Sequence, residues 1–340
     1  MSASMIRTEQ ARSHPRVSIV LMSCDRPEWC ATALHSVLLQ THSDFEVLVR
    51  DDSTGDGVRA MTSAISDPRV RYARGQCKGQ LDNFLGGLRE TEGEIVLVLH
   101  DDDWWEPALL ERLVPPMLAD ETLDLATAPF FYVGAYGEPL GRATRLRQRH
   151  HIGEPRSGVV THDDFGTRAR ELLVERRISP FIGTAMRRRC LAGLHIPAEA
   201  GSVLDLWLCS HLARTTKRWL FVPEYLAAYR VHGASIASSM ADLDHQRWCV
   251  DAFLRDPELA PIHDDLRTGF RDFRRGVALG WLVTGDRARA RTDLRDLRSE
   301  YRWRARLIHQ VASHRPGSYC ATKWLRYRNA RFSSIHEEHP

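Results

Sequence analysis

Short apolar runs alternate with longer amphipathic segments in the first 120 residues of the chain. Three runs that start at Arg16, Phe45 and Glu94 each end in polar residues: "RVSIVLMSC", "FEVLVRDD" and "EIVLVLHDDD". Between and after them lie segments with helical spacing of apolar residues: "EWCATALHSVLLQ", "QLDNFLGGLRETEG" and "ALLERLVPPML". Strand, helix and strand in repetition predict a mostly parallel sheet flanked by helices. The fold class that we expect is therefore α/β.

The pattern changes in the second half of the chain. "LATAPFFYVGAYG", from Leu125 to Gly137, predicts one further strand, and after Ser238 the strand signal fades. From there to about residue 314 the segments have helical spacing and arginine-rich faces. We therefore expect a flexible N-terminus over residues 1–15, an α/β domain over residues 16–238 and a helical, basic region over residues 239–340.

Composition agrees with an ordinary globular protein. The chain has 340 residues, of which 43% are hydrophobic and 27% charged, so it can bury a full core. The N-terminal segment lacks the pattern of a secretory signal, and no run approaches the roughly 18 apolar residues that span a bilayer. We therefore expect a cytoplasmic location.

The net charge of +3 is unevenly distributed. From Tyr301 to Ile335 there are seven arginines and one lysine, no acidic residue, and six interleaved aromatic residues. The simpler interpretation of this basic tail is a solvated helix face that packs on the body, and the alternative is peripheral contact to anionic lipid or an acidic partner. Specific nucleic-acid binding is not expected. The helical region could also pair subunits into a homodimer.

Carboxylates cluster at the ends of two predicted strands. Asp51 and Asp52 follow one strand, and Asp101, Asp102 and Asp103 follow another. In open α/β sheets, ligands bind beyond the carboxyl ends of the strands. Like charges about 4 Å apart repel by roughly 1 kcal/mol even in water, and oxygen ligands suit Mg²⁺ or Mn²⁺, so the cluster predicts a divalent metal. The alternative is a solvated turn that caps the next helix.

The stretch from Val17 to Gly57 resembles the opening of family 2 glycosyltransferases, which have the GT-A fold. The resemblance rests on the turn Asp25-Arg26-Pro27, on the pair Gln40-Thr41 and on the strand end Asp51-Asp52-Ser53. "EGEIVLVLHDDDWWEPALLERLV" is similar to the metal-binding segment of the same family. The resemblance covers roughly residues 16–238 and is strongest over the first 110.

The resemblance implies roles for five residues of the first half. Asp52 matches the carboxylate that holds the nucleotide base, usually uracil, and Asp25 and Arg26 would lie beside the same nucleotide. Asp101 and Asp102 match the acidic pair of the DxD motif, with Asp101 at the sugar-nucleotide and Asp102 as the metal ligand. His100 stands where the commoner Asp-x-Asp-Asp form has its first aspartate, which leaves the register of the pair open by one residue.

The resemblance also implies roles for five residues of the second half. Asp205, in the predicted first turn of a helix, matches the catalytic base. In "YRVHGASIASS", Arg230 would neutralise the diphosphate and His232 would complete the metal sphere or touch the pyrophosphate. These two residues are two apart and so face the same side of an extended segment. Ser179 and Thr184 fall where the family places acceptor-binding residues.

The expected function is that of an inverting, metal-dependent glycosyltransferase. The donor would be a nucleoside diphosphate sugar, with UDP as the expected nucleotide, the acceptor is open, and the cofactor would be Mn²⁺ or Mg²⁺. A nucleotidyltransferase is an alternative, although "MSCDRPEW" lacks the glycine-rich phosphate loop that such an enzyme carries. An inactive, glycosyltransferase-like binding module that acts through its basic tail is a second alternative.

Overall fold

The computed structural model describes residues 16–140, 156–232 and 240–268, together with residues 288 and 291. The N-terminal residues 1–15 and the basic tail at residues 301–335 lie outside the described residues. The chain divides between Asp242 and Leu243 into two compact units, and each is described by itself. The domain boundary expected near residue 238 stays a prediction.

The first unit is built on an eight-stranded sheet. Its strands are β1 (Val17–Ser23), β2 (Glu46–Asp51), β3 (Val70–Arg74), β4 (Ile95–His100), β6 (Leu125–Thr127), β8 (Gly158–Thr161), β9 (Thr184–Arg187) and β10 (Arg218–Phe221). They lie in the order β3-β2-β1-β4-β9-β6-β10-β8. The pairs β3–β2, β2–β1, β1–β4 and β6–β10 are parallel, whereas β9 runs antiparallel to both of its neighbours.

A second, three-stranded sheet adjoins the end of β4 in sequence. It consists of β5 (Trp104–Trp105), β7 (Phe130–Val133) and β11 (Ala227–Arg230), with β11 in the centre. The predicted single strand from Leu125 to Gly137 is wrong, because the structure divides it into β6 and β7, which belong to different sheets. Pro129 between them has no amide hydrogen and cannot continue a ladder, and its carbonyl accepts instead from the amide of Leu226.

Helices cover the large sheet. They are α1 (Pro27–Leu38), α2 (Gly57–Ser63), α3 (Gln80–Arg89), α4 (Leu109–Ala119), α5 (Phe165–Ala169) and α6 (Leu204–Thr215). Strands β1, β2 and β4 are buried along their apolar length because they are covered on both faces. The expected α/β fold with a mostly parallel central sheet is confirmed.

The order of the strands creates a crevice beside the central strand. From β1 the chain proceeds outward through β2 to β3 and then returns to the other side of β1 as β4. The connections therefore diverge between β1 and β4, and the carboxyl ends of these strands flank an open edge. Ser23, Asp51 and His100 are the last residues of β1, β2 and β4 and meet at this edge.

The described part of the second unit is helical. Helix α7 (Met240–Arg255) crosses the division between the units, and a short 3-10 turn at Pro257–Ile262 follows. Leu259, Ile262 and Leu266 are buried. Within the described residues, no helix is both long enough and apolar enough to cross a bilayer.

The close contact between α3 and β1 supplies a test of the fold. A Cβ atom at Gly87 would lie 2.3 Å from Cγ1 of Val20, so no larger residue fits between helix and sheet. We expect Gly87→Ala to lower the free energy of unfolding by about 1–3 kcal/mol in urea denaturation, although alanine alone favours a helix. Val20→Ala in the same chain should recover part of that loss in a double-mutant cycle, whereas strictly additive effects would contradict this packing.

Candidate active site

Asp52 lies at the end of β2 beneath the segment at residues 75–79. Its Oδ2 accepts a hydrogen bond from the amide of Gly79 at 2.6 Å. A Cβ atom at Gly75 would lie 2.4 Å from Asp52 Oδ1, so only glycine allows the segment to pass so closely. Oδ1 is buried, and no donor among the described residues reaches it. This oxygen therefore has an open acceptor position within the described residues, and the expected role of Asp52 in holding a nucleobase stays a prediction.

The three consecutive aspartates after β4 point to different partners. Asp101 accepts from the hydroxyl of Ser23 at 2.8 Å and from the amide of Cys24 at 3.2 Å, which ties β4 to the end of β1. Burial raises the pKa of Asp101 to about 6, against the opposing effect of Arg26. The side chain of Asp101 is fully buried and therefore holds the turn together.

Asp102 is the most accessible of the three carboxylates, with 15% of its side chain exposed. Its Oδ2 lies 2.9 Å from Nη1 of Arg26 and 3.0 Å from Nε2 of His232. Burial by itself would raise the pKa of Asp102, but the nearby His100, Arg26 and His232 outweigh it, so the pKa lies below its usual value. Asp102 is therefore poised as an anion at the open edge.

Asp103 is almost completely buried. Its Oδ1 accepts from the amide of Arg230 at 2.9 Å, while Oδ2 is buried with no donor among the described residues. Burial, followed by the charge of Asp102, raises the pKa of Asp103 well above its usual value. A nearby cation or a bound proton would therefore stabilise the Asp103 carboxyl group.

Ligand atoms of His100, Asp102 and Asp103 lie within 4.8 Å of one another. One imidazole nitrogen and two carboxylate oxygens form a donor set that suits Mn²⁺ or Mg²⁺. The unsatisfied Oδ2 of Asp103 is the observation that favours a metal here, so the residues present fit the expected ion. Asp102 was expected as a metal ligand from the sequence, whereas His100 and Asp103 are candidate ligands that the sequence analysis did not single out. Their positions in the Asp-x-Asp-Asp pattern were the available signal.

His232 and Arg230 approach the acidic turn from β11 and the residues after it. His232 contacts Asp102 through Nε2 and packs edge-on against Trp29, with 4.4 Å between the ring centres. Arg230 donates from Nε to the carbonyl of Asp102 at 2.8 Å and from Nη1 to the carbonyl of Ala135 at 2.7 Å. The expected contact of Arg230 with a diphosphate stays a prediction.

Two tryptophans enclose the guanidinium of Arg230. Its central carbon lies 5.3 Å from the ring centre of Trp29 and 4.9 Å from that of Trp104, and the residue is only 7% exposed. Because its hydrogen bonds go to main-chain carbonyls, Arg230 fixes the shape of the acidic turn in this structure.

Asp25 and Arg26 form the turn between β1 and α1. Asp25 has a φ of 53° and accepts from the amides of Thr54 at 3.0 Å and Gly55 at 3.3 Å. It therefore ties this turn to the loop after Asp52. Arg26 is directed instead at the acidic cluster, where it pairs with both Asp101 and Asp102. The nucleotide-binding roles expected of Asp25 and Arg26 stay predictions.

Asp205 lies in the first turn of α6, as its position in the sequence indicated, and it is half-buried. Asp205 is close enough to His100 for its charge to influence the pKa of His100. Burial lowers the pKa of His100, and the charge of Asp205 is among the weaker influences that raise it. Asp205 therefore belongs to the neighbourhood of the acidic cluster, and its role as a base stays a prediction.

The segment that contains Ser179 and Thr184 reaches the site through Phe181, whose ring centre is 5.5 Å from that of His100. Ser179 is half-buried. Thr184 is 1% exposed, and its hydroxyl donates to the carbonyl of Ser179 at 2.9 Å. The contacts of Thr184 are internal to the fold, and acceptor binding by either residue stays a prediction.

A family model and curated relatives match the first part of the chain. The model of glycosyl transferase family 2 matches residues 18–172. An uncharacterized glycosyltransferase of Nostoc sp. is 29% identical over 102 residues, which are 29% of this chain and 32% of the relative. UDP-Glc:alpha-D-GlcNAc-diphosphoundecaprenol beta-1,3-glucosyltransferase WfgD of Escherichia coli is 30% identical over 103 residues, which are 30% of this chain and 41% of WfgD. The chain thus spans less than half of the length of these relatives.

Solved structures share the fold over a greater length. S. aureus TarS 1–349 in complex with UDP-GlcNAc has a TM-score of 0.53 at 16% identity, with 93% of this chain and 92% of that chain covered. The mannosyltransferase PcManGT of Pyrobaculum calidifontis, in complex with GDP-Man and Mn²⁺, has a TM-score of 0.53 at 16% identity, with 96% and 88% covered. The chain therefore shares its fold with these glycosyltransferase structures, and its residues 18–172 are similar to glycosyl transferase family 2.

The buried charge of Asp103 leads to a prediction about stability without metal. A group whose pKa is raised by folding costs stability once the pH exceeds its ordinary pKa, and below that value the cost disappears. In EDTA, we therefore expect Asp103→Asn to raise the unfolding temperature by about 2–4 °C per kcal/mol recovered, and by more at pH 8 than at pH 5. Circular dichroism at the two pH values measures the difference.

Asp67→Asn is the matched control, because the hydrogen bond from Arg69 lowers the pKa of Asp67 and its substitution should give no such gain. In Mn²⁺ the advantage of Asp103→Asn should disappear. A variant that is less stable than the unsubstituted protein at pH 8 in EDTA would refute the account of Asp103.

Proposed function

We propose that the protein is an inverting, metal-dependent glycosyltransferase that moves a sugar from a nucleoside diphosphate to an acceptor hydroxyl. The observation that supports this most is the pair of buried oxygens without donors, Asp52 Oδ1 and Asp103 Oδ2. One suits the N–H of a base and the other a cation. They follow β2 and β4, on either side of the central strand, as a nucleoside and its diphosphate-bound metal would require.

UDP is the proposed nucleotide. Asp52 would accept the ring N–H of uracil through Oδ1 while the amide of Gly79 holds Oδ2. The names of related proteins support a nucleoside diphosphate donor, since WfgD uses UDP-Glc and TarS was solved with UDP-GlcNAc. PcManGT was solved with GDP-Man, so GDP is the competing nucleotide.

The chemistry that we propose assigns the proton to Asp205. The acceptor oxygen would attack the anomeric carbon, the bond from that carbon to the diphosphate oxygen would break, and Asp205 would take the acceptor's proton. A divalent ion held by His100, Asp102 and Asp103 would supply positive charge to the leaving diphosphate. His232 would hold Asp102 in place through its bond to Oδ2.

The proposed acceptor is a saccharide carried on a polyprenyl diphosphate. WfgD acts on GlcNAc-diphosphoundecaprenol, and another relative, from Campylobacter jejuni, is named for a diphosphoundecaprenol-linked glycan. Such an acceptor would place the reaction at a membrane surface, where the basic tail at residues 301–335 would contact anionic lipid. That tail lies outside the described residues.

Asp205→Asn tests the assignment of the base. With labelled UDP-glucose, UDP-GlcNAc or GDP-mannose, Mn²⁺ and a synthetic GlcNAc-diphosphoprenol, we expect the substitution to lower kcat by about 10²–10⁴-fold. The affinity for UDP should stay unchanged, because Asp205 would contact the acceptor and not the nucleotide. Asp67→Asn removes an ion pair with Arg69 and is the control substitution, which should leave turnover unchanged. Full turnover by Asp205→Asn would exclude Asp205 as the base.

A further inference from the structure

Arg26 contacts two of the three consecutive aspartates. Its Nη2 lies 2.6 Å from Oδ1 of Asp101 and its Nη1 lies 2.9 Å from Oδ2 of Asp102. The Asp101 side chain is fully buried, whereas 28% of the Arg26 side chain is exposed. The guanidinium thus bridges Asp101 and Asp102 and remains partly exposed to solvent.

The backbone fixes the direction from which Arg26 reaches the cluster. Arg26 immediately precedes helix α1, whose first residue is Pro27. Its guanidinium carbon lies 5.5 Å from the ring centre of Trp29, in the first turn of the same helix. The side chain nevertheless remains long and partly solvated, so the head group can leave Asp102 while its backbone stays in place.

Arg26 and a divalent ion would compete for the same carboxylate. Asp102 belongs to the group of potential metal ligands, and Arg26 already neutralises it. A cation bound to Asp102 would lie beside the positive guanidinium, and like charges at such separation repel strongly where water is scarce. A nucleoside diphosphate brings the negative charge that would accommodate both cations, and guanidinium groups bind phosphate oxygens well.

We propose that Arg26 is a tethered cation that occupies Asp102 in the nucleotide-free enzyme and moves to the diphosphate of the donor. The consequence is a binding order in which the divalent ion binds tightly only together with the nucleoside diphosphate. This inference rests on the proposed function, since it takes the Asp102 cluster as the metal seat. It assigns to Arg26 a role in metal binding that its position in the turn motif does not indicate.

Electron paramagnetic resonance of free Mn²⁺ tests the proposal, with the full chain titrated in the presence and absence of UDP. In the unsubstituted protein, UDP should tighten Mn²⁺ binding on the order of tenfold or more. Arg26→Gln should bind Mn²⁺ on the order of tenfold more tightly without UDP, and UDP should then tighten Mn²⁺ binding by a smaller factor than in the unsubstituted protein. Arg26→Lys retains the charge but not the two-pronged contact, so its Mn²⁺ affinity without UDP should lie between those of the unsubstituted protein and Arg26→Gln.

Arg112→Gln is the matched control, because Arg112 pairs with Glu224 at the surface and lies outside the proposed site. Thermal unfolding in EDTA shows whether each variant is folded. Unchanged or weaker Mn²⁺ binding by folded Arg26→Gln without UDP would overturn the inference while leaving the proposed function intact. Absence of Mn²⁺ binding by the unsubstituted protein even with UDP would overturn the proposed function itself.

Discussion

The site depends on how four buried or half-buried carboxylates are held next to one another at the carboxyl ends of parallel strands. Asp52, Asp101, Asp102 and Asp103 follow β2 and β4 because the fold brings these strand ends to one edge. The four carboxylates have different partners. Asp52 accepts a hydrogen bond from the amide of Gly79, and Asp103 accepts one from the amide of Arg230. Asp101 contacts Ser23 and Arg26, and Asp102 contacts Arg26 and His232. One oxygen of Asp52 and one of Asp103 have no hydrogen-bond donor among the described residues, and a ligand would supply the missing partner at each.

The residues that pair with the four aspartates come from elements that are distant in sequence. Arg26 precedes α1, Arg230 is the last residue of β11, and His232 lies two residues further on. Trp29 contacts His232 and both arginines. This arrangement makes the small sheet of β5, β7 and β11 a support for the acidic turn, because β11 pairs with β5 directly after Asp103. In the proposed function, the stability lost by burying Asp103 would be offset by a cation bound there, and such a compromise is common at functional sites.

Local patterns in the sequence predicted much of the fold and part of the site. The apolar runs "RVSIVLMSC", "FEVLVRDD" and "EIVLVLHDDD" predicted β1, β2 and β4, because buried parallel strands form nearly continuous apolar segments. The split at Pro129 was missed, since both halves are apolar and only the tertiary pairing with Gly183 and Leu226 separates them. Periodicity likewise could not predict that Arg230 donates to main-chain carbonyls. Nor could it predict that Gly75 passes so close to Asp52 that only glycine fits there, because both contacts join residues distant in sequence.

Thermal unfolding of the full chain with UDP, GDP, TDP, CDP and ADP, each with and without Mn²⁺, tests the central claim most directly. A ligand at a hundred times its dissociation constant adds about 2.7 kcal/mol of stability, which is readily measured. The account predicts a shift that requires both one nucleoside diphosphate and Mn²⁺ and that disappears in Asp102→Ala. No shift with any nucleotide, or an equal shift in Asp102→Ala, would contradict the assignment of these carboxylates to a diphosphate and metal seat.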